Sequence, residues 1–402
     1  MTKEFFKIAI IGQGYVGLPL SLAACKSGYT VAGIDSDEEK VGLIKMGSSP
    51  VEDVSNDDLN YYMTTGKLNI TCNFDEVITS KVVILCVPTP LKKNKSPDLS
   101  ILLSALTSIA SRIQVGTLII VESTVGPGTT RNMVRDLILS KSSLGENEFF
   151  LAYSPERVNP RSEIWHIGNT PKIVAGLNKK SELMAVEFYS KFVQQIVVCD
   201  TLEIAESAKL LENTFRLVNI SMINEFRMFC DQIGIDIKKV ISAAATKPYG
   251  FMPFTPSLGV GGHCIPVDPI YLADKCDEVG ARHDFIDLAL KINGEVNISV
   301  LNEIMKRLGE IENKRILVIG LAYKPNLSDI RESPSVALIS SLKQQKARVY
   351  WHDNLVKKWN GEISTDISNN FDIAILAAVH ENLDLAMLGE VPIIDTCGSL
   401  SL

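Results

Sequence analysis

The 402 residues are 46% hydrophobic, enough for a sizeable core in each of two or three domains. A formal net charge of −7 with both signs interspersed offers no basic stripe to a nucleic acid, and no apolar run reaches membrane-spanning length. The eight cysteines lie scattered without CxxC spacing, so in a reducing compartment neither disulfides nor a metal site are expected. The opening MTKEFFKIAIIGQG runs directly into a strand and a glycine loop, not a secretory leader, and a cytoplasmic location is expected.

Over residues 1–200, β-rich apolar runs alternate with helix-like stretches: KIAIIG, TVAGID, VVILCV, TLIIVES, FFLAYSP, KIVAGL and QIVVCD. Such alternation predicts parallel strands joined by crossover helices. Residues 201–312 change to long helical periods, beginning with TLEIAESAKLLENTFRLVNISMINEFRMFCDQIGI. Residues 313–402 return to an α/β pattern, with RILVIGLAY, ARVYWHD, FDIAILAAV and VPIIDT around the helix SVALISSLKQQ. The expected fold class is therefore α/β: two Rossmann-like, doubly wound parallel-sheet domains joined by a helical central domain with a long helix. Residues 201–230 are apolar over more than one stripe, which predicts burial on several sides and a homodimer formed through that helix.

Gly12-Gln13-Gly14-Tyr15-Val16-Gly17 follows the strand KIAII and precedes a helix-like segment, and Asp35 ends the next strand. This is the full context of a dinucleotide loop. Gly12 permits the tight turn, Gly14 lets a pyrophosphate reach the backbone, and Gly17 lets the helix pack on the strand with its amides towards the phosphates. Asp35 accepts hydrogen bonds from a ribose and repels a 2′-phosphate, which favours NAD over NADP. In the last block, Gly320-Leu321-Ala322-Tyr323-Lys324 carries a lysine where further glycines are needed, so a second dinucleotide is not expected. Lys324, Asp329 and Arg331 are instead placed to meet the phosphates of another nucleotide, or to form an ordinary charged turn.

Gly259, Gly261 and Gly262 stand ahead of Cys264, and Asp268 follows before a predicted helix beginning DPIYLADK. Glycines let the backbone approach a ligand, and a thiol just ahead of a helix N-terminus tends towards the reactive thiolate. Two uses of Cys264 fit this pattern, a nucleophile on a bare loop and a small buried apolar residue.

GQGYVGLPL, VPTP, ESTVGPGTT, SPERVNP, AESAKLLENTFR, GVGGHCIPVDP and GLAYKPNLSDIRESPS follow one another along the chain and favour the first. Almost end to end, the chain resembles the nucleotide-sugar 6-dehydrogenases, the UDP-glucose/UDP-N-acetylhexosamine/GDP-mannose dehydrogenase group. That resemblance implies oxidation of a C6 alcohol to a carboxylate with two NAD, Cys264 holding the aldehyde first as a thiohemiacetal and then as a thioester. It implies that Lys209 stabilises the oxyanions, with Asn213 one turn further on the same helix face. Asp268 would activate water or orient the lysine, and would also suit the cap of the following helix. Glu156 matches a base for thioester hydrolysis, and Thr124 a water- or cofactor-positioning hydroxyl. Lys40, Thr89 and Arg331 join the Gly12–Gly17 loop and Asp35 on the cofactor, while Arg157, Lys324 and the backbone of residues 254–262, Gly261 included, wrap a UDP-sugar substrate.

Arg157 in SPERVNP, His263 before the cysteine and Val267 before Asp268 differ from the PEF and SCFPKD patterns of UDP-glucose enzymes. They point to the N-acetylhexosamine branch, with UDP-GlcNAc, UDP-ManNAc or UDP-GalNAc as substrate and a glycan precursor as product. Arg161, in place of glycine, and Cys397, in place of an arginine in IDTR, depart from the family pattern. The alternatives are a UDP-glucose 6-dehydrogenase, a one-step hydroxyacid dehydrogenase needing no thiol, and an inactive nucleotide-sugar-binding protein.

Overall fold

The computed structural model describes residues 6–158, 164–381 and 383–400, so Arg161 lies outside the described residues. By contact the chain divides into two compact units, Met1–Leu211 and Glu212–Leu402.

The first unit runs β1 (Lys7–Ile11), α1 (Gly17–Lys26), β2 (Thr30–Ile34), α2 (Glu38–Lys45), α3 (Asn56–Thr64), β3 (Leu68–Thr71), β4 (Val82–Leu85), α4 (Ser100–Ala110), β5 (Leu118–Val121), α5 (Arg135–Lys141), β6 (Phe150–Tyr153), β7 (Lys172–Gly176), α6 (Lys179–Tyr189) and β8 (Ile196–Val198). These strands form one sheet in the order β3-β2-β1-β4-β5-β6-β7-β8. Side chains alternate across it. Ile8 and Ile10 pack with Leu18, Leu59 and Phe188 on one face, and Ala9 and Ile11 pack with Leu102, Ile109 and Ile138 on the other. The strand order reverses at β1, which opens the crevice for a ligand between the carboxyl ends of β1 and β4.

Two details differ from the sequence expectation. The short, half-polar run LNIT forms β3. β7, expected parallel, pairs antiparallel with β6, and β8 then pairs parallel with β7. Between β6 and β7 no helix occurs among the described residues, and without a crossover a neighbouring strand returns in the opposite direction.

α7 (Leu202–Ile233) carries the chain into the second unit, which continues with α8 (Ile237–Ala245), α9 (Asp268–Val279), α10 (Asp284–Leu308), β9 (Arg315–Ile319), α11 (Pro334–Gln344), β10 (Arg348–His352), the small hairpin β11 (Lys358–Trp359) and β12 (Glu362–Ile363), β13 (Ile373–Leu376) and β14 (Ile393–Asp395). Its parallel sheet has the order β10-β9-β13-β14. Ile316 and Val318 pack on Ile304 of α10 and Leu338 of α11, while Leu317 and Ile319 face Phe371 and Leu388. No helix among the described residues is long and apolar enough to cross a membrane.

The second sheet has the same parallel order as β2-β1-β4-β5 of the first, and the two strand-end acids differ in their partners. Gly12 and Gly320 end equivalent strands with φ of +90° and +94°. A Cβ there would stand 2.7 Å from the Cys86 carbonyl oxygen and 2.0 Å from that of Ala378, so each position requires glycine. Asp35 Oδ2 accepts from Gln13 N at 2.8 Å and Lys40 Nζ at 2.9 Å. Its counterpart Asp353 accepts from the amides of Leu321, Ala322, Leu355 and Val356, and its Oδ2 lies 3.0 Å from His380 Nε2. Wholly buried and saturated, Asp353 is a structural ligand of its loops and has no edge for a ribose.

Burial works against ionisation of Asp353, but His380 and the amides of Val356 and Ala322 outweigh it and hold the carboxyl down to about 2, below its ordinary 3.8. Stability from this group is thus present above its unfolded value and is lost as pH falls from about 4 towards 2. Asp353→Asn is expected to destabilise the second unit by roughly 2–3 kcal/mol at neutral pH, with the deficit shrinking towards pH 2. Urea unfolding followed by the fluorescence of Trp351 and Trp359 checks this, and equal stability at pH 7 would contradict it.

Candidate active site

The Gly12–Gly17 turn is tight on one side and open on the other. A Cβ at Gly17 would lie 1.8 Å from the Gly12 carbonyl oxygen, while one at Gly14 would meet nothing within 4 Å. α1 begins without a side-chain cap, so its amide end is presented at that open side. Tyr15 packs partly into the core and Val16 is half-buried at the cap. Asp35 is 7% exposed at the end of β2, and its partner Lys40 remains half-buried beside it. Ser123 Oγ donates to Val87 O at 2.6 Å, which ties the loop bearing Thr89 to the segment bearing Thr124. These residues fit a dinucleotide at the switch point of the sheet.

A second polar cluster in this unit surrounds Glu156, and most of it was not anticipated from sequence. Antiparallel pairing of Tyr153 with Ala175 carries Lys172, the first residue of β7, alongside Glu156. Lys172 Nζ stands 3.0 Å from Glu122 Oε2 and 3.3 Å from Glu156 Oε2. Tyr189 Oη donates to the other oxygen of Glu122. Glu156 Oε1 accepts from the amides of Arg157 and Val158, each at 2.6 Å. Burial alone would push the Glu156 carboxyl up, but Lys172, those two amides and the charge of Lys209 prevail and hold it below its ordinary value. Arg157 turns to the main chain, its Nη1 donating to Pro171 O at 2.7 Å.

Lys209 is half-buried on α7, three residues beyond Glu206, another residue to which the sequence assigned no role. The Glu206 carboxylate accepts from Gly128 N at 2.6 Å and Thr130 N at 2.9 Å, fastening α7 to the GPGTT turn. Burial pushes this carboxyl up to about 7 against the pull of those amides.

The second unit gathers the other predicted residues around one loop. A Cβ at Gly261 would fall 2.6 Å from the Glu332 carbonyl oxygen and 2.8 Å from Tyr323 Cβ; one at Gly262 would fall 2.8 Å from the Tyr323 ring. Gly262, at φ +81°, donates its amide to Arg331 O at 3.1 Å. The loop bearing Cys264 is thereby seated on the loop bearing Lys324 and Arg331. Arg331 grips Asp329, with Nε 2.8 Å from Oδ1, and His263 Nε2 stands 3.9 Å from Asp329 Oδ2. Burial, then the charge of Arg331, pushes the His263 imidazole down against the attraction of Asp329.

Cys264 itself is exposed, and its carbonyl accepts from Val267 N and Asp268 N as α9 begins. Asp268 is 3% exposed and accepts from Asn213 Nδ2. It does not cap α9: Val267 occupies the cap position without a side-chain bond, and Asp268 opens the first turn with Pro269 next. Cys397 is half-buried, with Sγ 2.9 Å from Ser399 Oγ, and burial pushes its thiol up to about 11.

Three domain models of one family match in chain order: the NAD binding domain at residues 6–193, the central domain at 203–295 and the UDP binding domain at 317–401. The chain belongs to the UDP-glucose/GDP-mannose dehydrogenase family. It is 32% identical to a UDP-N-acetyl-D-glucosamine 6-dehydrogenase of Pseudomonas aeruginosa, covering 93% of this chain and 90% of that one. It is 35% identical to a UDP-N-acetyl-D-mannosamine dehydrogenase of Methanococcus maripaludis, covering 89% and 82%. Among solved structures, a UDP-D-ManNAc dehydrogenase from Pyrococcus horikoshii superposes with a TM-score of 0.90 at 30% identity, covering 98% of this chain and 96% of that one. As a member of this dehydrogenase family the chain is an NAD-using oxidoreductase, and the glycine loop lies in its NAD binding domain.

The two glycines of that loop should fail differently. Gly14→Ala is expected to unfold at the parent's temperature but to bind NAD about tenfold more weakly, whereas Gly17→Ala should lower the unfolding temperature. Calorimetric NAD titration beside thermal unfolding reads both, and undiminished affinity in Gly14→Ala would displace the phosphates from this loop.

Proposed function

We propose that the chain oxidises the C6 hydroxyl of a UDP-N-acetylhexosamine (UDP-GlcNAc, UDP-ManNAc or UDP-GalNAc) to the uronic acid, four electrons in all. The observation that carries this reading is the exposed Cys264, delivered by a glycine loop seated directly on the UDP-binding-domain loop of Tyr323 to Glu332. The N-acetylated sugars are favoured by the names of the relatives and by Arg157 and His263.

NAD, when bound, accepts the electron pair of each oxidation. Loss of the C6 hydroxyl proton and of hydride from C6 leaves an aldehyde. The Cys264 sulfur then bonds to C6, and the carbonyl oxygen becomes an oxyanion stabilised by Lys209 and Asn213. Loss of a second hydride from C6 restores the C=O bond as a thioester. Water adds to C6, the C–S bond breaks, the thiolate leaves and the carboxylate is released. Glu156, held ionised, receives the water proton, while Asp268, fixed by Asn213, orients the groups around the cysteine. Thr124 positions cofactor or water. Gly12, Gly14, Tyr15, Val16, Gly17, Asp35, Lys40, Thr89 and Arg331 hold the cofactor, and Arg157, Gly261 and Lys324 hold the sugar nucleotide. In this reading residues 1–200 bind NAD, 201–312 carry the cysteine and the dimer contact, and 313–402 bind the nucleotide of the substrate.

NADH formation with UDP-glucose, UDP-GlcNAc, UDP-ManNAc and UDP-GalNAc tests the proposal. An N-acetylated sugar should be preferred, with two NADH per sugar in the parent and at most one in Cys264→Ser. Preference for UDP-glucose would refute the substrate assignment, and unchanged turnover in Cys264→Ser would refute the covalent route.

The same reading includes a cytoplasmic homodimer. On α7, Leu211, Phe215, Met222, Phe226, Phe229 and Ile233 are exposed at steps of three, four and seven residues, the spacing of a helix–helix seam. A second copy of the chain would cover this seam. Met222→Glu with Phe226→Glu is expected to halve the mass measured by light scattering, and a parent that is already monomeric would end this part of the proposal.

A further inference from the structure

Lys172 is a lysine in an expensive place. Its side chain is 5% exposed, between Glu122 at 0% and Glu156 at 15%. Taking an ammonium out of water costs several kcal/mol unless carboxylates pair it closely and its remaining protons are satisfied. The fold supplies two. Of these, Glu122 is sealed in and tied to Tyr189 Oη, whose ring also lies 5.1 Å from Lys172 Nζ. Glu156 instead keeps an edge at the surface of the unit, at the carboxyl end of the sheet where ligands of such folds bind. The antiparallel turn of β7 is what brings the ammonium to that end.

We propose that Lys172 is a positioning residue for the hydrolytic half of the reaction, aiming the Glu156 carboxylate and keeping it free of a proton while Glu122 and Tyr189 anchor the lysine from behind. This rests on Glu156 acting on water as described above. Glu156 has one oxygen fixed by two amides and the other by the ammonium, so neither its rotamer nor its charge is left to solvent. The titratable groups acting on it are Lys172, Lys209, Glu122 and Cys86, with Tyr189 behind Glu122. Burial first, then the negative charge of Glu122, pushes the Cys86 thiol and the Tyr189 phenol well up, so both stay neutral. Burial also raises Glu122 against the pull of Lys172. Removing the lysine therefore raises Glu156, and the acidic limb of kcat should move to higher pH.

Lys172→Met, Lys172→Arg and Glu156→Gln are compared for kcat and KM between pH 5 and 9 and for the early burst of NADH. In Lys172→Met, kcat is expected to fall about tenfold to a hundredfold, with KM for the sugar nucleotide and the burst little changed and the acidic limb up by about one unit. Lys172→Arg, which keeps the charge, should recover most of both. An unmoved limb, or a burst slowed as much as kcat, overturns the proposal in favour of a structural ion pair. Full activity in Glu156→Gln defeats the base reading beneath it instead, so the two failures are distinct. Thermal unfolding and NAD titration at pH 7 show that each variant is folded. Should Lys172→Met not fold, Glu122→Gln/Lys172→Met, which buries one charge fewer, is read by the same profile.

Discussion

The seating of Gly261 and Gly262 against Tyr323 and the Glu332 carbonyl is the contact on which the rest of the site depends. Side chains at those two positions would put a Cβ at 2.6–2.8 Å from their neighbours, a separation real Cβ atoms do not adopt. Without them the backbone lies flat on the UDP-binding-domain loop, one amide bonds to Arg331 O, and the chain leaves with Cys264 exposed and turned into the first turn of α9. Nucleotide loop and cysteine loop are thereby one packed body. In the proposed route, a nucleotide held by the first would fix where the second presents its sulfur, the condition for covalent capture to outrun escape of an aldehyde.

Two sheets of similar strand order carry differently partnered loops. In both sheets a glycine ends the first strand and an aspartate the second, the acid accepting an amide from the loop between. Asp35 keeps a half-exposed lysine as its further partner, leaving a polar edge for a ribose. Asp353 is closed off by four amides and His380, and the loop it braces carries Lys324 and Arg331 in place of a glycine-rich turn. The two acids thus differ in how far their hydrogen bonds are saturated, not in the order of the strands around them.

Much of this was legible in the sequence, for identifiable reasons. Long apolar strands, the Gly12–Gly17 loop and the glycines before Cys264 declare themselves locally, because each answers to backbone geometry or to burial on both faces of a sheet. What those glycines touch is not local: Tyr323 lies some sixty residues away, and nothing in its neighbourhood announces the contact. Strand direction is equally silent, since the period of two is the same either way, and β7 was therefore expected parallel. With that direction hidden, the sequence gives no sign that Lys172 reaches both Glu122 and Glu156. Asp268 suited a helix cap by residue type, but its side chain goes to Asn213 and the helix starts one residue earlier than a cap at that position allows. Glu206 sat inside a recognised motif without a role until its two amide partners appeared.

In the proposed route a single sulfur carries the half-oxidised sugar. Acid quenching during turnover with the preferred UDP-sugar, followed by peptide mass analysis, reads it directly. An acyl adduct on the Cys264 peptide that hydroxylamine removes is expected, accumulating further when Glu156 is replaced by glutamine. Steady formation of the uronic acid with no adduct on Cys264 in either protein would contradict it.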